Sequence, residues 1–371
     1  MRVLLVSPFC PWPPMFGGAQ RTLAFARALG ARHEVTLTCR SPSPAQVPDV
    51  DAARRDAEAR LRPHVRRILW GPATPSYTVP AQPTGSRLGN IVGDLVDLLM
   101  HRTPLEFREV EPAWRALVEQ HGAEFDAALV RYSHLLPLVA GLPQRRVVVD
   151  ADDLRFLLLA RRGRSHGFVT RVSHLLEAGR SWAHEQRLFR RVAHVITCSA
   201  DDRALVRSAR ASVLPNGVAV EAVADAPRAA ATLVFVGQCD WRPNRRGVAW
   251  FLREVWPLVR AAHPAARFQV VGQRAARTTF GVEELEGVSY HADVPSVAPW
   301  FAGASASIVP LWEGGGTRIK VIESLAYGTP VVATSLGAAG LRARFTPALG
   351  LELADAPAGL PDDLPRWVGD G

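Results

Sequence analysis

The sequence predicts an α/β protein made of two doubly wound parallel-sheet domains facing a cleft. Three observations carry that expectation. Short β-branched apolar runs alternate with stretches of helical spacing in both halves of the 371 residues, the order that gives a parallel sheet covered by helices. A small, polar stretch at 221–230, EAVADAPRAA, separates the halves and reads as a linker. Glycine clusters stand at the start of a helical stretch in each half, Gly17-Gly18 in the first and Gly314 to Gly316 in the second. The expected domains are therefore 1–220 and 231–371.

In the first half, Val3 to Ser7 is a buried strand. A proline-rich loop follows, ending in Gly17-Gly18, then a helix over AQRTLAFARALG that Gly30 stops. Glu34 to Thr38 is the next strand. The glycine pair reads either as a plain tight turn or as a close backbone approach to a diphosphate or acceptor. No full GxGxxG accompanies it, and this argues against a nicotinamide dehydrogenase. A charged helix (Asp51 to Leu61), a strand (Val65 to Trp70) and helices over 88–100 and Ala113 to Glu119 come next. Asp126 to Val130 and Arg146 to Val149 read as buried strands. The second runs into Asp150-Ala151-Asp152-Asp153, carboxylates at the strand end where doubly wound sheets bind ligands. Asp152, Asp153 and His134 are candidate bases. The DxD spacing of Asp150 and Asp152 reads as capping aspartates at a strand end rather than a metal site, so no metal is expected.

Nine arginines lie between Arg155 and Arg191, interleaved with apolar residues. Two readings stand: solvated faces of core helices, and a basic amphipathic surface for anionic lipid or a phospholipid-linked acceptor. His194 to Cys198 is a strand, Ser199 caps a helix, and Val213 to Val218 is a strand ending in a turn.

The second half restarts with a strand over Thr232 to Val236 ending at Gly237. QCDWRPN is a loop, and Arg245 to Ala262 a helix. Strands follow at Phe268 to Val271 and Val288 to His291, with a short helix inside Val294 to Phe301. The richest stretch is Ile308 to Thr334, IVPLWEGGGTRIKVIESLAYGTPVVAT. It reads as strand, glycine turn, helix (Thr317 to Tyr327) and strand. Bare amides at such a helix start suit a phosphate or diphosphate. Lys320 and Glu323, three apart, share a helix face: a cation for phosphates and a carboxylate for ribose hydroxyls. Lys320 is also the only lysine among the 44 basic residues. An otherwise arginine-using chain has a compact ammonium at this place. Past Val332 the pattern weakens, leaving one short helix near Asp362 to Val368.

Hydrophobic residues make up 48% of the chain, ample for two cores, and the net charge of +9 points to an anionic partner. Nucleic acid is set aside, because no recognition motif or run of aromatics accompanies the basic residues. Cys10, Cys39, Cys198 and Cys239 are scattered, without CxxC or zinc spacing, which fits a reducing compartment. Met1-Arg2 leads straight into a buried strand rather than a signal peptide. No apolar run approaches the roughly 18 residues of a membrane span. The expectation is a cytoplasmic protein, with Arg155–Arg191 offering a peripheral contact at the inner face of the membrane.

The combination VFVG…DWRPN with Trp250-Phe251, followed by PLWEGGGTRIKVIESLAYGTPVVAT, resembles the family-4 retaining glycosyltransferases of the GT-B fold, in the bacterial branch that assembles exopolysaccharide and surface glycans. SPFCPWPP…GGAQR and VLPNGV fit the same family. The resemblance implies two Rossmann-like domains, with a nucleotide-diphosphate sugar held mainly by the second. It implies a glycan, lipid-linked or small-molecule acceptor on the first, and no cofactor. Glu323 matches the glutamate that holds the donor ribose. Eight positions earlier, where the family has the first glutamate of this pair, stands Gly315; Glu313 is ten earlier. Gln238 replaces the arginine common after the first strand's glycine. Phosphate charge then falls to Lys320, which is also the candidate catalytic cation, with Arg318 or Arg242 helping. Gly315, Gly316, Thr317 and Asn244 complete the donor set. Two further readings remain: a nucleotide-sugar epimerase of this architecture, and a non-catalytic glycan- or partner-binding subunit.

Overall fold

The computed structural model describes all residues except 45–46, 74–102, 105–106, 109, 163–167, 223–228, 230, 316, 343 and 357–371. The helices expected over 88–100 and 362–368, most of the 221–230 linker, and Gly316 lie outside the described residues. The chain divides into two units, Met1–Pro215 and Asn216–Gly371.

The first unit holds a parallel sheet of seven strands: β1 (Arg2–Ser7), β2 (Glu34–Arg40), β3 (Arg67–Gly71), β4 (Ala127–Arg131), β5 (Val147–Ala151), β6 (His194–Thr197) and β7 (Ala211–Val213). Their order is β3-β2-β1-β4-β5-β6-β7, so the winding reverses between β1 and β4. Alternation along β1 shows why this run is apolar throughout. Leu4 and Val6 pack with Trp114, Val118 and Phe189 on one face, while Leu5 packs with Leu23, Ala26 and Leu37 on the other. Helix α1 (Gly17–Gly30) starts on the glycine pair itself. Gly17 and Gly18 are thus its first turn, which corrects the expectation that the loop ends on them. Helices α2 (Arg155–Arg162) and α3 (Phe168–Arg191) carry the basic segment. Ser199 Oγ accepts from the Asp202 amide and caps Ala200–Leu205 as expected.

The second unit holds a parallel sheet of six strands: β8 (Thr232–Val236), β9 (Arg267–Gly272), β10 (Val288–Ala292), β11 (Ala306–Val309), β12 (Val331–Ala333) and β13 (Leu351–Leu353). Their order is β10-β9-β8-β11-β12-β13, reversing between β8 and β11. Leu233 and Phe235 face Val248, Phe251 and Trp256; Val234 and Val236 face Phe301 and Ala304. The sequence pattern did not reveal β13. It is short, yet it pairs in parallel with β12 from Val331↔Leu351 to Ala333↔Leu353. Helix α4 (Arg242–Trp250) begins three residues earlier than the spacing predicts, because Pro243 is accepted in a first helical turn, where no N–H is needed. It passes through a wider turn at Phe251–Val255 into a helix over Trp256–Ala262. Pro257 has no N–H to continue the regular ladder there.

Gly247 on α4 is where this helix meets the chain leaving β11. A Cβ there would stand 2.1 Å from the carbonyl oxygen of Pro310. Gly247→Ala is expected to destabilise the second unit by about 1–3 kcal/mol, read as a lower Tm in thermal denaturation.

Candidate functional site

In doubly wound sheets ligands sit beyond the carboxyl ends of the strands where the winding reverses. In the second unit these are the ends of β8 and β11. β8 ends at Val236, just before Gly237, and β11 leads through Pro310 to Arg318 into helix α5 (Ile319–Ala326). The helix begins at Ile319, two residues later than its spacing predicts. Arg318 takes the cap position without making a side-chain cap, so the first amides carry no such partner. Gly314 is held at φ 116, in the left-handed region that favours glycine.

Lys320, on the first turn of α5, reaches back towards β8. Its Nζ donates to Asn244 Oδ1 at 2.9 Å and lies 4.0 Å from the centroid of the Phe235 ring. Asn244 is fixed in turn by donating Nδ2 to the Gln238 carbonyl at 2.8 Å. Gly237 makes the arrangement possible: a Cβ there would meet Lys320 Nζ at 2.7 Å and Asn244 Nδ2 at 3.0 Å. Burial pushes the Lys320 ammonium down to about 7, with Arg318 lowering it further and Glu323 opposing the shift. The Cys239 thiol, driven up to about 12 by burial, carries no charge at neutral pH. The structure thus brings Lys320 and Asn244 together at the end of β8, with Glu323 three residues further along α5.

The other donor candidates are placed differently. Arg318 is buried and donates to the Gly315 carbonyl, folding back on the glycine turn. Thr317 follows that turn, and its Oγ1 is buried without a hydrogen-bond partner among the described residues. Arg242 and Asn244 lie on α4 rather than in the expected loop. Arg242 turns to Glu313, with Nε 3.3 Å from Oε1, and Arg246 Nη1 lies 3.4 Å from Oε2. Glu313 is buried.

The first-unit candidates stand around the reversal of winding between β1 and β4. Arg21 holds Asp150 through two hydrogen bonds, at 3.0 and 2.7 Å, and donates to the Leu214 carbonyl at 3.0 Å. Fully buried Arg131 lies 2.9 Å from Asp150 Oδ2, donates to Asp152, and donates to the Gly18 carbonyl and Thr22 Oγ1, each at 2.8 Å. Tyr132 at φ 68 is a strained residue at the end of β4; its hydroxyl donates to Asp152 Oδ2 at 3.3 Å. Cys198 Sγ reaches Asp152 Oδ1 at 3.1 Å. Asp152, expected as a base or acceptor contact, is therefore bound up with an arginine, a phenol and a thiol. Asp150 and Asp152 are both ion-paired to arginine, an arrangement opposed to a divalent cation at the DxD spacing. Arg21 and Arg131 escaped the sequence reading; the available signal was an arginine closing the buried run of β4. Gly18 admits no side chain, since a Cβ would stand 2.6 Å from the Phe9 ring. His134 Nδ1 is buried without a hydrogen-bond partner among the described residues. Burial, then Arg155 and Arg40, push His134 well below its ordinary value, leaving a neutral ring of low basicity.

Residues 230–351 match the family model for glycosyl transferases group 1. Lys320, Asn244 and Gly237 lie inside the matched stretch. Among curated proteins, none matches the chain. Among solved structures, HepE from Anabaena, crystallised with UDP and glucose, superposes with a TM-score of 0.61 at 14% identity, over 100% of this chain and 90% of that one. WaaG, a glycosyltransferase involved in lipopolysaccharide biosynthesis, gives 0.59 at 16% identity over 100% and 91%. A structure of trehalose-6-phosphate from E. coli bound with UDP-2-fluoro glucose gives 0.55 at 14% identity over 100% and 92%. The likeness is one of fold: two Rossmann-like domains of the GT-B class.

The Lys320 environment has a measurable signature. An unfolded lysine keeps its proton to about 10.4, whereas the folded one loses it near 7. Between these values the unfolded chain binds the extra proton, so this residue adds stability as pH rises from 7. In Lys320→Met that gain is absent. The Tm of the wild type, measured relative to the variant, is expected to rise between pH 6.5 and pH 9.

Proposed function

We propose that the protein transfers a sugar from a nucleotide-diphosphate sugar to an acceptor hydroxyl, with retention of anomeric configuration and without a metal. The observation that carries this reading is the Lys320 ammonium, enclosed by Asn244, Phe235 and Gly237 at the start of α5. A cation held down to about 7 by burial gains most from an incoming anion. The helix-start amides add donors aimed the same way. Glu323, on the same face of α5, accepts from the ribose hydroxyls.

When the bond between the sugar and the diphosphate breaks, negative charge grows on the departing phosphate oxygen. Positive charge grows on the sugar ring. Lys320 and the amides stabilise the first charge without moving. The acceptor hydroxyl approaches on the face the diphosphate leaves, and its proton passes to the departing phosphate oxygen. That course needs no protein nucleophile, and it leaves the engaged Asp152 and the low-basicity His134 outside the chemistry. Uridine diphosphate sugars are the first donors to try, since HepE and the E. coli neighbour were crystallised with uridine nucleotides.

The family-4 assignment and a role in exopolysaccharide or surface-glycan assembly rest on the motif through Ile308–Thr334. The acceptor is a glycan, a lipid-linked saccharide or a small molecule. Val172, Leu175 and Leu176 on α3 are 41%, 48% and 46% exposed beside the arginines of that helix. This supports a peripheral contact with an anionic membrane surface at the cytoplasmic face. Among the described residues no helix is long and apolar enough to cross a membrane.

Thermal shift with uridine, guanosine and deoxythymidine diphosphates and their sugars tests the donor site. One of the series is expected to raise Tm, and Lys320→Ala and Glu323→Gln are each expected to abolish that rise. Normal binding by both variants would sink the assignment. Only protonated Lys320 attracts the diphosphate, so affinity is expected to be greatest below pH 7 and to fall as pH rises through it. The slope should vanish in Lys320→Ala. Product release from donor plus acceptor separates transfer from binding alone, and turnover without acceptor would mark an epimerase.

A further inference from the structure

A cavity of about 310 Å3 opens beside α4, lined by Pro243, Arg246, Trp250, Trp312 and Glu313. It uses a different face of α4 from the donor cradle. At 100° per residue Pro243, Arg246 and Trp250 fall on one side, and Asn244, which holds Lys320, on another. Trp250 and Trp312 meet edge to face, with ring centroids 5.0 Å apart and planes at 83°, so they form a corner. Trp312 is 41% exposed, leaving indole surface open at the mouth. Glu313 is only 4% exposed, yet its Oε1 has no hydrogen-bond partner among the described residues. Arg242 Nε and Arg246 Nη1 lie 3.3 and 3.4 Å from its two carboxylate oxygens.

We propose that this corner is a saccharide-binding subsite separate from the nucleotide-binding cradle. The chemistry of the lining selects the ligand class. A sugar ring offers an apolar C–H face to one indole and its edge to the other. Its hydroxyls donate to Glu313 Oε1 and accept from Arg246, which satisfies the buried acceptor. The volume is at the small end of ligand sites, which run roughly 300–1,000 Å3. One carboxylate between two guanidiniums leaves a local positive charge, so an acidic sugar is accepted as well as a neutral one. The subsite stands whether or not the protein transfers sugar, since none of its lining residues belongs to the cradle of Lys320, Asn244 and Gly237.

Saturation-transfer NMR on the full chain with D-glucose and D-glucuronate, and with uridine as a nucleoside control, tests the proposal. At least one sugar is expected to receive magnetisation from the protein, and uridine to receive none that Trp312 governs. Trp312→Ala is expected to weaken sugar binding at least tenfold. Glu313→Gln, which keeps the shape of the side chain, should weaken it severalfold. Both variants should keep the wild-type response to nucleotide diphosphates, a readout that also reports intact folding. Absence of sugar binding, or binding unchanged in Trp312→Ala, would overturn the proposal. So would displacement of the sugar by whichever nucleotide sugar raises Tm most, which would make the corner part of the donor site. The donor reading fails by a different result, normal nucleotide binding in the Lys320 and Glu323 variants.

Discussion

A single confined ammonium governs the second unit's binding end. Lys320 can reach Asn244 only because Gly237 has no side chain, and Phe235, near the end of β8, offers it an aromatic face. Three separate parts of the chain are therefore tied to one atom: the end of β8, the start of α4 and the first turn of α5. An ammonium so placed lacks the hydration it would have in water, and Asn244 replaces only part of it. The reversal of winding between β8 and β11 puts this ammonium at the carboxyl ends of the strands.

The first unit solves the opposite problem. There Arg21 on α1 and Arg131 at the end of β4 neutralise Asp150 and Asp152 at the end of β5 in the interior. Arg131 also binds the Gly18 carbonyl, so this network anchors the start of α1 to β4. Buried networks of this kind add little net stability over apolar packing, but removing one member strands the rest. Their observable consequence is geometric: the start of α1, the strained Tyr132 and the carboxylate of Asp152 are held as one rigid group. The two units thus use the same topological position in different ways, one closed on itself and one left with a cation to share.

Much of the architecture was legible in the sequence, because buried parallel strands leave continuous β-branched runs such as VLLVS and TLVFV. What escaped detection has physical reasons. β13 is three residues long and gains its place from pairing with β12, which local pattern does not record. The start of α4 was read as loop because Trp-Arg-Pro-Asn contains a proline, though proline suits a first turn. In the candidate site, Lys320 and Glu323 stood out through helical spacing and through the rarity of lysine. The partners of Asp152 and Glu313 did not, since ion pairs such as Arg131–Asp152 and Arg242–Glu313 join residues 21 and 71 positions apart. Charge at a strand end announces that something is bound there, not whether a ligand or the protein itself binds it.

The solitary lysine has one consequence outside binding altogether. Apart from the terminal amine, Lys320 is the chain's only primary amine, and an amine titrating near 7 is substantially in its nucleophilic free-base form at neutral pH. Amine-directed reagents small enough to enter beside Phe235 therefore have one internal target, and an intact-mass measurement would show one modification beyond that of the terminal amine. With arginine at every other basic position, the cradle holds the chain's one addressable side-chain amine.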